Sequence, residues 1–333
     1  MIHPLSCCAA SPSHPSVEGA ARVGTAASLR GGPCSLPLAW MAPVSSYLKL
    51  HDRYAEMNTP RSGVAGSSLS DADLTPDNQR RFGGLERLYG VAGAARIRGA
   101  HVAVVGIGGV GSWAAEALAR SGVGRITLID LDQVSESNIN RQIHALTSTV
   151  GQAKVDAMRA RIAQIHPDCE VHCIEEFVEP GNWPALLPEG VTAVIDACDQ
   201  VKAKTAMAAH ARRHKQLFIS AGAAGGKRQA HKVDIDDLSQ TTHDPLLAQL
   251  RYRLRREHNA PQGGKKIGVP CVFSREAVAP PDASCAIDSA DGSLNCHGYG
   301  SVVAVTATFG QCAAGWVLDQ IASTEPKVLQ IPC

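Results

Sequence analysis

Short apolar runs alternate with longer segments of mixed polarity along the chain from about residue 80 onward. The apolar runs have the length of buried strands, and the segments between them place apolar residues at helical spacing. The runs predict strands at 101–106, 125–130, 170–176, 191–197 and 216–222, and the intervening segments predict helices at 111–122, 151–167 and 201–215. This alternation predicts an α/β fold: a doubly wound, mainly parallel Rossmann-like sheet with helices on both faces.

The pattern is less regular towards the C-terminus. Residues 231–238 predict one more strand, and an amphipathic helix follows Asp244, which is suited to cap it. Residues 260–298 are rich in Gly, Pro, Ser and Asp and predict long loops. Residues 300–322 form an apolar, small-residue segment, which predicts a helix that packs closely in the core or at a subunit interface. The C-terminal portion is therefore expected to be loop-rich.

The two ends of the chain differ in composition from the region between them. Residues 1–75 are rich in Ala, Ser, Pro and Gly and show no sustained periodicity. They lack the basic start and apolar core of a secretory signal. We interpret 1–75 as a disordered extension or as the result of a start codon assigned upstream of Met41 or Met57. The folded domain is predicted at 76–325, with a tail at 326–333.

Composition narrows the class of protein. The chain has 333 residues and a formal net charge of +1. It contains no apolar run of the roughly 18 residues that span a membrane, which indicates a soluble protein with no membrane partner. Its 11 cysteines are scattered and form no C-x-x-C pair, so no structural zinc is expected. Reduced thiols in a chain of this length indicate a cytoplasmic location.

A glycine-rich loop follows the first predicted strand and opens the first predicted helix. Gly106, Gly108 and Gly111 fit G-x-G-x-x-G, and Asp130 ends the next strand at the distance expected of a ribose-binding acid. A glycine-rich turn at a helix N-terminus is typical of phosphate binding. Gly109 is an additional glycine, expected to let the backbone approach phosphate closely. Taken alone, the loop fits NAD and ATP equally well.

Charged and amide residues downstream of the loop favour ATP. A forked guanidinium such as that of Arg141 pairs with phosphate oxygens, and Lys154 adds a compact cation. Asp196 and Asp199 end the fourth strand, where open sheets bind ligands, and paired acids there suit Mg²⁺ shared with phosphates. Nucleotidyl transfer needs such charges because negative charge must be neutralised as pyrophosphate leaves. The candidate nucleotide-binding residues are Gly106, Gly108, Gly109, Gly111, Asp130, Asp132, Asn138, Arg141, Gln142, Lys154, Asp196 and Asp199.

These segments carry a family resemblance. The ordered array of G-x-G-G-x-G, LIDLDQV, NRQ, GQAK and D-x-x-D resembles the ubiquitin-activating-enzyme-like adenylyltransferases (the ThiF, MoeB and HesA superfamily). The resemblance implies attack of a carboxylate on the α-phosphate of ATP, which gives an acyl-adenylate and pyrophosphate. It implies that the glycines bind phosphate, that Asp130 binds the ribose and that Asp199 binds Mg²⁺. It also implies that Arg141 and Lys154 bind the triphosphate.

Within that superfamily, several stretches are similar to the tRNA threonylcarbamoyladenosine dehydratases. They are RFGGLERLYG (81–90), GSWAAEALAR, NRQIHAL, VPCVFSREA (269–277) and VTATFG (305–310). The resemblance implies adenylation of the threonine carboxylate and intramolecular ring closure with release of AMP. It also implies a homodimer in which Arg81 or Arg87 reaches the partner's site. Family association adds a cysteine desulfurase or sulfur-acceptor system as a candidate partner.

The cysteines and basic residues bear on the chemistry and on the substrate. Cys198, Cys271 and Cys296 are possible nucleophiles, although ring closure needs no enzyme thiol, and incidental cysteine is the preferred interpretation. Residues 202–233 contain no Asp or Glu, and RYRLRREH (251–258) is a second basic block. Local basic blocks in a nearly neutral chain fit a phosphate-backbone binder such as tRNA, although solvated helix faces explain them equally well.

Three other functions remain open at this point. The chain could adenylate the C-terminus of a small sulfur-carrier protein, although the C-x-x-C pairs common in that branch are absent. It could be an NAD(P)-dependent oxidoreductase, in which case Arg141, Lys154 and Asp199 would have no evident task. It could also be a non-catalytic adaptor that retains the fold.

Overall fold

The computed structural model describes residues 77–282, 284 and 299–324. They all belong to one compact unit, Leu69–Cys333. The predicted extension at 1–75 and the tail at 326–333 lie outside the described residues, as does Cys296.

A seven-stranded sheet forms the centre of the described structure, in the order β3-β2-β1-β4-β5-β7-β6. The first five strands in chain order are mutually parallel, β7 continues the sheet parallel to β5, and β6 pairs antiparallel with β7 at the edge. This confirms the doubly wound, mainly parallel prediction. The strands are β1 (His101–Val105), β2 (Arg125–Ile129), β3 (Glu170–Ile174), β4 (Ala193–Asp196), β5 (Leu217–Ala221), β6 (Val233–Asp237) and β7 (Pro270–Ser274).

Helices cover both faces of the sheet. In the described residues they are α1 (Asn78–Phe82), α2 (Gly84–Gly99), α3 (Gly111–Arg120), α4 (Lys154–Ile165), α5 (Val201–His214), α6 (Pro245–Glu257) and α7 (Val303–Ser323). One apolar core lies between the sheet and α2, α3, α4 and α7. A second core lies between the opposite face and α5 and α6. No helix among the described residues is long and apolar enough to cross a membrane.

The helix ends follow the signals in the sequence. Gly122 adopts φ +69° just after α3, a left-handed conformation that glycine adopts without steric cost. The side chain of Asp244 accepts a hydrogen bond from the Leu247 N–H and caps α6 as predicted. At Gly310 of α7, a Cβ would lie 2.8 Å from the Ala114 nitrogen of α3. The small residues of α7 thus serve close helix packing inside this chain.

Two parts of the architecture differ from the sequence-based expectation. Residues 270–274 were expected to be loop, but they form β7, which pairs with both β5 and β6. This pairing is long-range, and a five-residue run that begins with proline does not predict a strand by itself. Residues 78–99 form α1 and α2, for which the hydrophobic pattern gave no prediction. Helix α2 buries only Gly93, Ala94 and Ile97, so its apolar periodicity is weak.

Candidate active site

A cleft of about 460 Å³ opens at the carboxyl ends of the parallel strands. Neighbouring β1 and β4 connect to opposite sides of the sheet, and such a switch point is where open α/β sheets bind ligands. The volume is within the range of small-molecule sites. Predicted residues that line it are Gly106, Gly108, Gly109, Asp130, Asp132, Asn138, Arg141, Gln142, Lys154 and Asp199. The fold therefore brings into one cavity most of the residues that the sequence predicted to bind nucleotide.

The glycines of the loop differ in what they make possible. Gly106 has φ +84°, and a Cβ on it would lie 2.9 Å from the Cys198 nitrogen. A Cβ on Gly111 would overlap the Gly106 carbonyl oxygen. These two glycines are therefore required by the backbone of the turn itself.

The other two glycines face the cleft and its wall. A Cβ on Gly108 would meet only the Gln142 Nε2, at 3.9 Å, so Gly108 presents bare backbone to the cavity. A Cβ on Gly109 would lie 3.2 Å from the Thr306 Cγ2 and 3.4 Å from the Arg141 Cγ. Gly109 thus makes room for those two side chains, whereas Gly108 offers the closer approach that was expected of Gly109.

Asp130 links the glycine loop to the end of β2. Its Oδ2 accepts from the Ile107 N–H at 2.6 Å, and its Oδ1 accepts from the Asp132 N–H at 2.8 Å. Burial raises the pKa of Asp130, while the charge of Lys154 and the two backbone donors oppose that rise. A carboxylate oxygen that accepts one hydrogen bond retains capacity for another, so Asp130 is equipped to accept from a ribose hydroxyl.

Lys154 is a buried cation beside two carboxylates. Its Nζ lies 2.6 Å from the Asp132 Oδ2 and 3.9 Å from the Asp130 Oδ1. Lys154 is also the first residue of α4, and its backbone N–H donates to the Asp132 carbonyl. Lys154 is therefore fixed at the cleft wall rather than solvated at a helix end, the alternative for a single lysine.

Arg141, Asn138 and Gln142 come from the segment after β2 and are all buried. The Arg141 Nη1 donates to the Ser137 carbonyl at 2.6 Å, and its Nε and Nη2 make no hydrogen bond with the described residues. The Oε1 of Gln142 is buried and has no hydrogen-bond partner among the described residues. Because buried polar atoms are nearly always paired, the Gln142 Oε1 indicates a ligand that supplies its missing partner, and the Arg141 Nε and Nη2 are available to the same ligand.

The two acids of D-x-x-D do not form a pair. Asp196 is fully buried, and it accepts from Lys204 at 2.9 Å and from the Ser220 hydroxyl at 2.6 Å. Its other oxygen accepts from the Cys198 N–H at 3.3 Å. Asp196 is fully buried and lies beneath the cleft instead of lining it, so the structure does not place it where the sequence predicted a ligand of nucleotide and Mg²⁺.

Asp199 has the position that Asp196 lacks. It is exposed and lines the cleft, and its carboxylate makes no hydrogen bond or ion pair with the described residues. Mg²⁺ that accompanies a nucleotide takes few protein carboxylates, with phosphate and water as its other ligands, so one acid at the cleft edge fits this ion. Within the described ranges, no group of three or more His, Cys, Asp or Glu residues could hold a metal ion.

Neither described candidate cysteine is a ready nucleophile. Burial raises the pKa of Cys198 well above its usual range, and the negative charge of Asp196 adds to this effect. Burial likewise raises the pKa of Cys271, which is part of the core between the sheet and α5 and α6. Since the thiolate is the nucleophilic form, both environments favour the interpretation as incidental cysteines.

Comparison with known proteins identifies the family. The family model described as ThiF family matches residues 82–330. The chain belongs to the ThiF family. It is 45% identical over 251 residues to the tRNA threonylcarbamoyladenosine dehydratase of Escherichia coli, covering 73% of this chain and 94% of that protein. It is 43% identical over 245 residues to the enzyme of that name from Haemophilus influenzae, with the same coverage.

Solved structures agree with this assignment. The crystal structure of the E. coli tRNA N6-threonylcarbamoyladenosine dehydratase TcdA in complex with ATP matches with a TM-score of 0.67 and 44% identity. The match covers 76% of this chain and 96% of that one. The resemblance inferred from the motifs is thus confirmed across the folded region of this ThiF-family chain.

Arg81 and Arg87 lie away from the cleft of their own chain. The Arg81 Nη1 donates to the Ile165 carbonyl at 2.5 Å, at the far end of α4 from Lys154. Arg87 is exposed on α2. In a single chain of this ThiF-family protein, neither arginine lines the cavity that holds Arg141 and Lys154.

Several residues in or beneath the cleft were not foreseen from the sequence. Lys204 neutralises Asp196, and the sequence does not distinguish this lysine from Lys202 in the same alanine-rich stretch of α5. Thr306, from the VTATFG motif, reaches the cleft from α7, and Gly222–Gly225 form another part of the lining. These residues are distant in the chain from the glycine loop, so only the tertiary fold brings them to it.

Proposed function

We propose that this protein is an ATP-dependent tRNA threonylcarbamoyladenosine dehydratase. The observation that carries the proposal is the 45% identity to the E. coli enzyme of that name, which extends over 94% of that protein. The cleft has the groups such a reaction requires: bare backbone at Gly108, an acid for a ribose, and two cations.

The proposed roles follow from where each group lies. Asp130 accepts from the ribose hydroxyls, and the backbone of the Gly108 turn donates to phosphate at the N-terminus of α3. Arg141 and Lys154 neutralise the charge that develops as pyrophosphate leaves. Asp199 holds Mg²⁺, which lowers the negative charge of the phosphates when bound. Gln142 and Asn138 contribute amide groups to the same wall.

The chemistry is a dehydration in two steps. A carboxylate oxygen of the threonyl group forms a bond to the α-phosphorus of ATP, and the bond to pyrophosphate breaks. A nucleophile of the same modified base then attacks the activated carbonyl and displaces AMP, and it loses a proton as the ring closes. The carboxylate oxygen leaves with AMP, so one water is lost overall. The second step is intramolecular and therefore fast without an enzyme thiol.

The finer proposals concern assembly and location. We propose a homodimer in which Arg81 or Arg87 completes the partner's cleft, since both arginines lie outside their own. We also propose a cytoplasmic location, in keeping with a substrate that is tRNA. A cysteine desulfurase or sulfur-acceptor system remains a candidate partner by family association alone.

A reconstituted reaction tests the function. Purified protein with ATP, Mg²⁺ and tRNA that carries threonylcarbamoyladenosine is expected to yield a nucleoside lighter by one water, with AMP and pyrophosphate formed. Asp199→Ala is expected to lower the rate strongly, whereas Asp168→Ala, which removes an exposed acid beyond the end of α4, is expected to leave it unchanged. ATP–pyrophosphate exchange that required a carrier protein ending in Gly-Gly instead of tRNA would contradict the proposal, as would tight binding of NADH with no binding of ATP.

A further inference from the structure

A second hollow on this molecule is lined by arginines and an aromatic ring. It has a volume of about 320 Å³ and lies along α6, with Ala248, Arg251, Tyr252, Arg255, Arg256 and Gln262 as its lining. We infer that this α6 hollow binds the RNA strand next to the modified nucleoside, taking a phosphate on its guanidinium groups and a base on Tyr252. The inference rests on the proposed function, since it supplies the contact surface for that tRNA.

The positive charge in the α6 hollow is not neutralised by its own lining, which contains no acidic residue. The Arg251 Nη1 donates to the Leu238 and Thr241 carbonyls at 2.9 and 3.0 Å, and the Arg255 Nε donates to the Pro261 carbonyl at 3.2 Å. These neutral acceptors fix the two guanidinium groups without cancelling their charge. Fixed guanidinium forks with free charge are well suited to phosphate oxygens.

Tyr252 provides a surface for a base. It is 60% exposed, so part of its ring is accessible to a ligand. The Arg256 guanidinium lies 5.9 Å from the centre of its ring, and the Arg256 Nη1 donates to the Tyr252 hydroxyl at 3.2 Å. Proteins that recognise single-stranded RNA combine such aromatic platforms with arginine.

Helix α6 connects the hollow to the cleft. Leu246, in its first turn, lines the cleft, and the Asp244 cap also accepts from the Ala223 N–H of the cleft wall at 2.9 Å. At about 1.5 Å per residue, Tyr252 and Arg256 lie about 9 and 15 Å further along the helix axis than Leu246. A single RNA strand covers that distance in a few nucleotides. A loop whose modified base occupies the cleft therefore reaches the hollow with its neighbouring nucleotides.

Direct binding of a modified anticodon stem-loop RNA, measured by fluorescence anisotropy over a range of salt concentrations, tests this inference. Arg256→Glu is expected to weaken binding about tenfold and to lower the slope of log affinity against log salt by about 1, as expected for the loss of one phosphate contact. Tyr252→Ala is expected to weaken binding several-fold with the slope unchanged, because stacking releases no counterions. The KM for RNA should rise in both variants while the KM for ATP stays constant.

The matched control is Arg159→Glu, which makes the same charge change at an exposed residue of α4, on the opposite face of the sheet. It is expected to bind RNA as the wild type does. If the wild type cyclises the RNA and all three variants bind it equally, the α6 hollow has no role in RNA binding although the function stands. If the wild type neither binds nor cyclises the RNA, the function is wrong as well. Competition by polyglutamate as effective as that by RNA would assign the hollow to an acidic protein instead.

Discussion

The Nζ of Lys204 lies 2.9 Å from the Oδ2 of Asp196, and both side chains are completely shielded from solvent beneath the cleft. The same aspartate accepts from the Cys198 N–H, which directly precedes the exposed Asp199. The buried ion pair thus anchors the turn between β4 and α5 that carries the proposed Mg²⁺ ligand. The pair supports the site from below without touching a substrate.

Removing the cation of this pair is expected to destabilise the fold. Lys204→Met leaves an uncompensated buried carboxylate, which costs about 3–5 kcal/mol in the free energy of unfolding. The measurement is urea denaturation followed by circular dichroism. Lys202→Met, an exposed lysine on the same helix, is the matched control and should unfold as the wild type does. Equal midpoints for the two variants would show that the pair does not have this role.

Two substitutions in the glycine loop are expected to have different effects, one on folding and the other on ATP binding. Gly111→Ala forces a Cβ into the Gly106 carbonyl and should destabilise the protein by several kcal/mol, since the clash is with backbone. Gly108→Ala meets only ordinary contacts in the protein and should fold normally. Its methyl group points into the space proposed for phosphate, so ATP affinity, measured by calorimetry, should fall. A Gly108→Ala variant with unchanged ATP affinity would place the phosphates elsewhere.

Arg141 is expected to act on the chemical step. Arg141→Lys keeps the charge but loses the planar fork, and kcat should fall about 10²-fold, in the range found when a transition-state donor is removed. The thermal midpoint should change little, because the guanidinium donates only to the exposed residues Ser137 and Asn140. Arg120→Lys, an arginine 60% exposed in its side chain, controls for the substitution itself. A rise in KM for ATP with kcat unchanged would mean that Arg141 binds the ground state and the transition state equally and does not act on the chemical step.

His144 is expected to make stability depend on pH. It is 1% exposed, neither ring nitrogen has a partner among the described residues, and burial, with the charges of Lys154 and Arg161, lowers its pKa to about 4. Between its ordinary pKa of 6.5 and about 4, the unfolded chain binds a proton that the folded chain does not. Stability therefore falls as pH drops through that window, by up to on the order of 3 kcal/mol.

Urea denaturation at pH 7.5 and pH 5 checks the His144 prediction. His144→Gln removes the titrating group, so this variant should lose less stability between the two pH values than the wild type does. His231→Gln, at an exposed position, should behave as the wild type. An identical loss in all three proteins would show that another group governs the acid sensitivity.

Much of the fold and most of the cleft are predictable from local sequence signals, for physical reasons. Strands β1, β2, β4 and β5 are almost wholly buried, so each reads as an apolar run, and the glycine loop and Asp130 are set by the adjoining strand and helix. Asp196 and Asp199 looked equivalent in the sequence because three residues of spacing do not reveal which side chain points under the sheet edge. The ion pair with Lys204 holds Asp196 beneath the sheet edge, and this pair forms only when α5 packs on β4 and β5. Strand β7 likewise depends on partners far away in the chain.

The central claim is that this chain dehydrates threonylcarbamoyladenosine in tRNA, and nucleoside mass spectrometry tests it most directly. The tRNA is taken from a strain that lacks the gene and has no redundant enzyme, and from the same strain carrying the wild-type gene or its Asp199→Ala variant. We predict that the deletion strain loses the cyclic nucleoside and accumulates the linear form, and that only the wild-type gene restores the ring. Persistence of the cyclic nucleoside in the deletion strain would contradict the account.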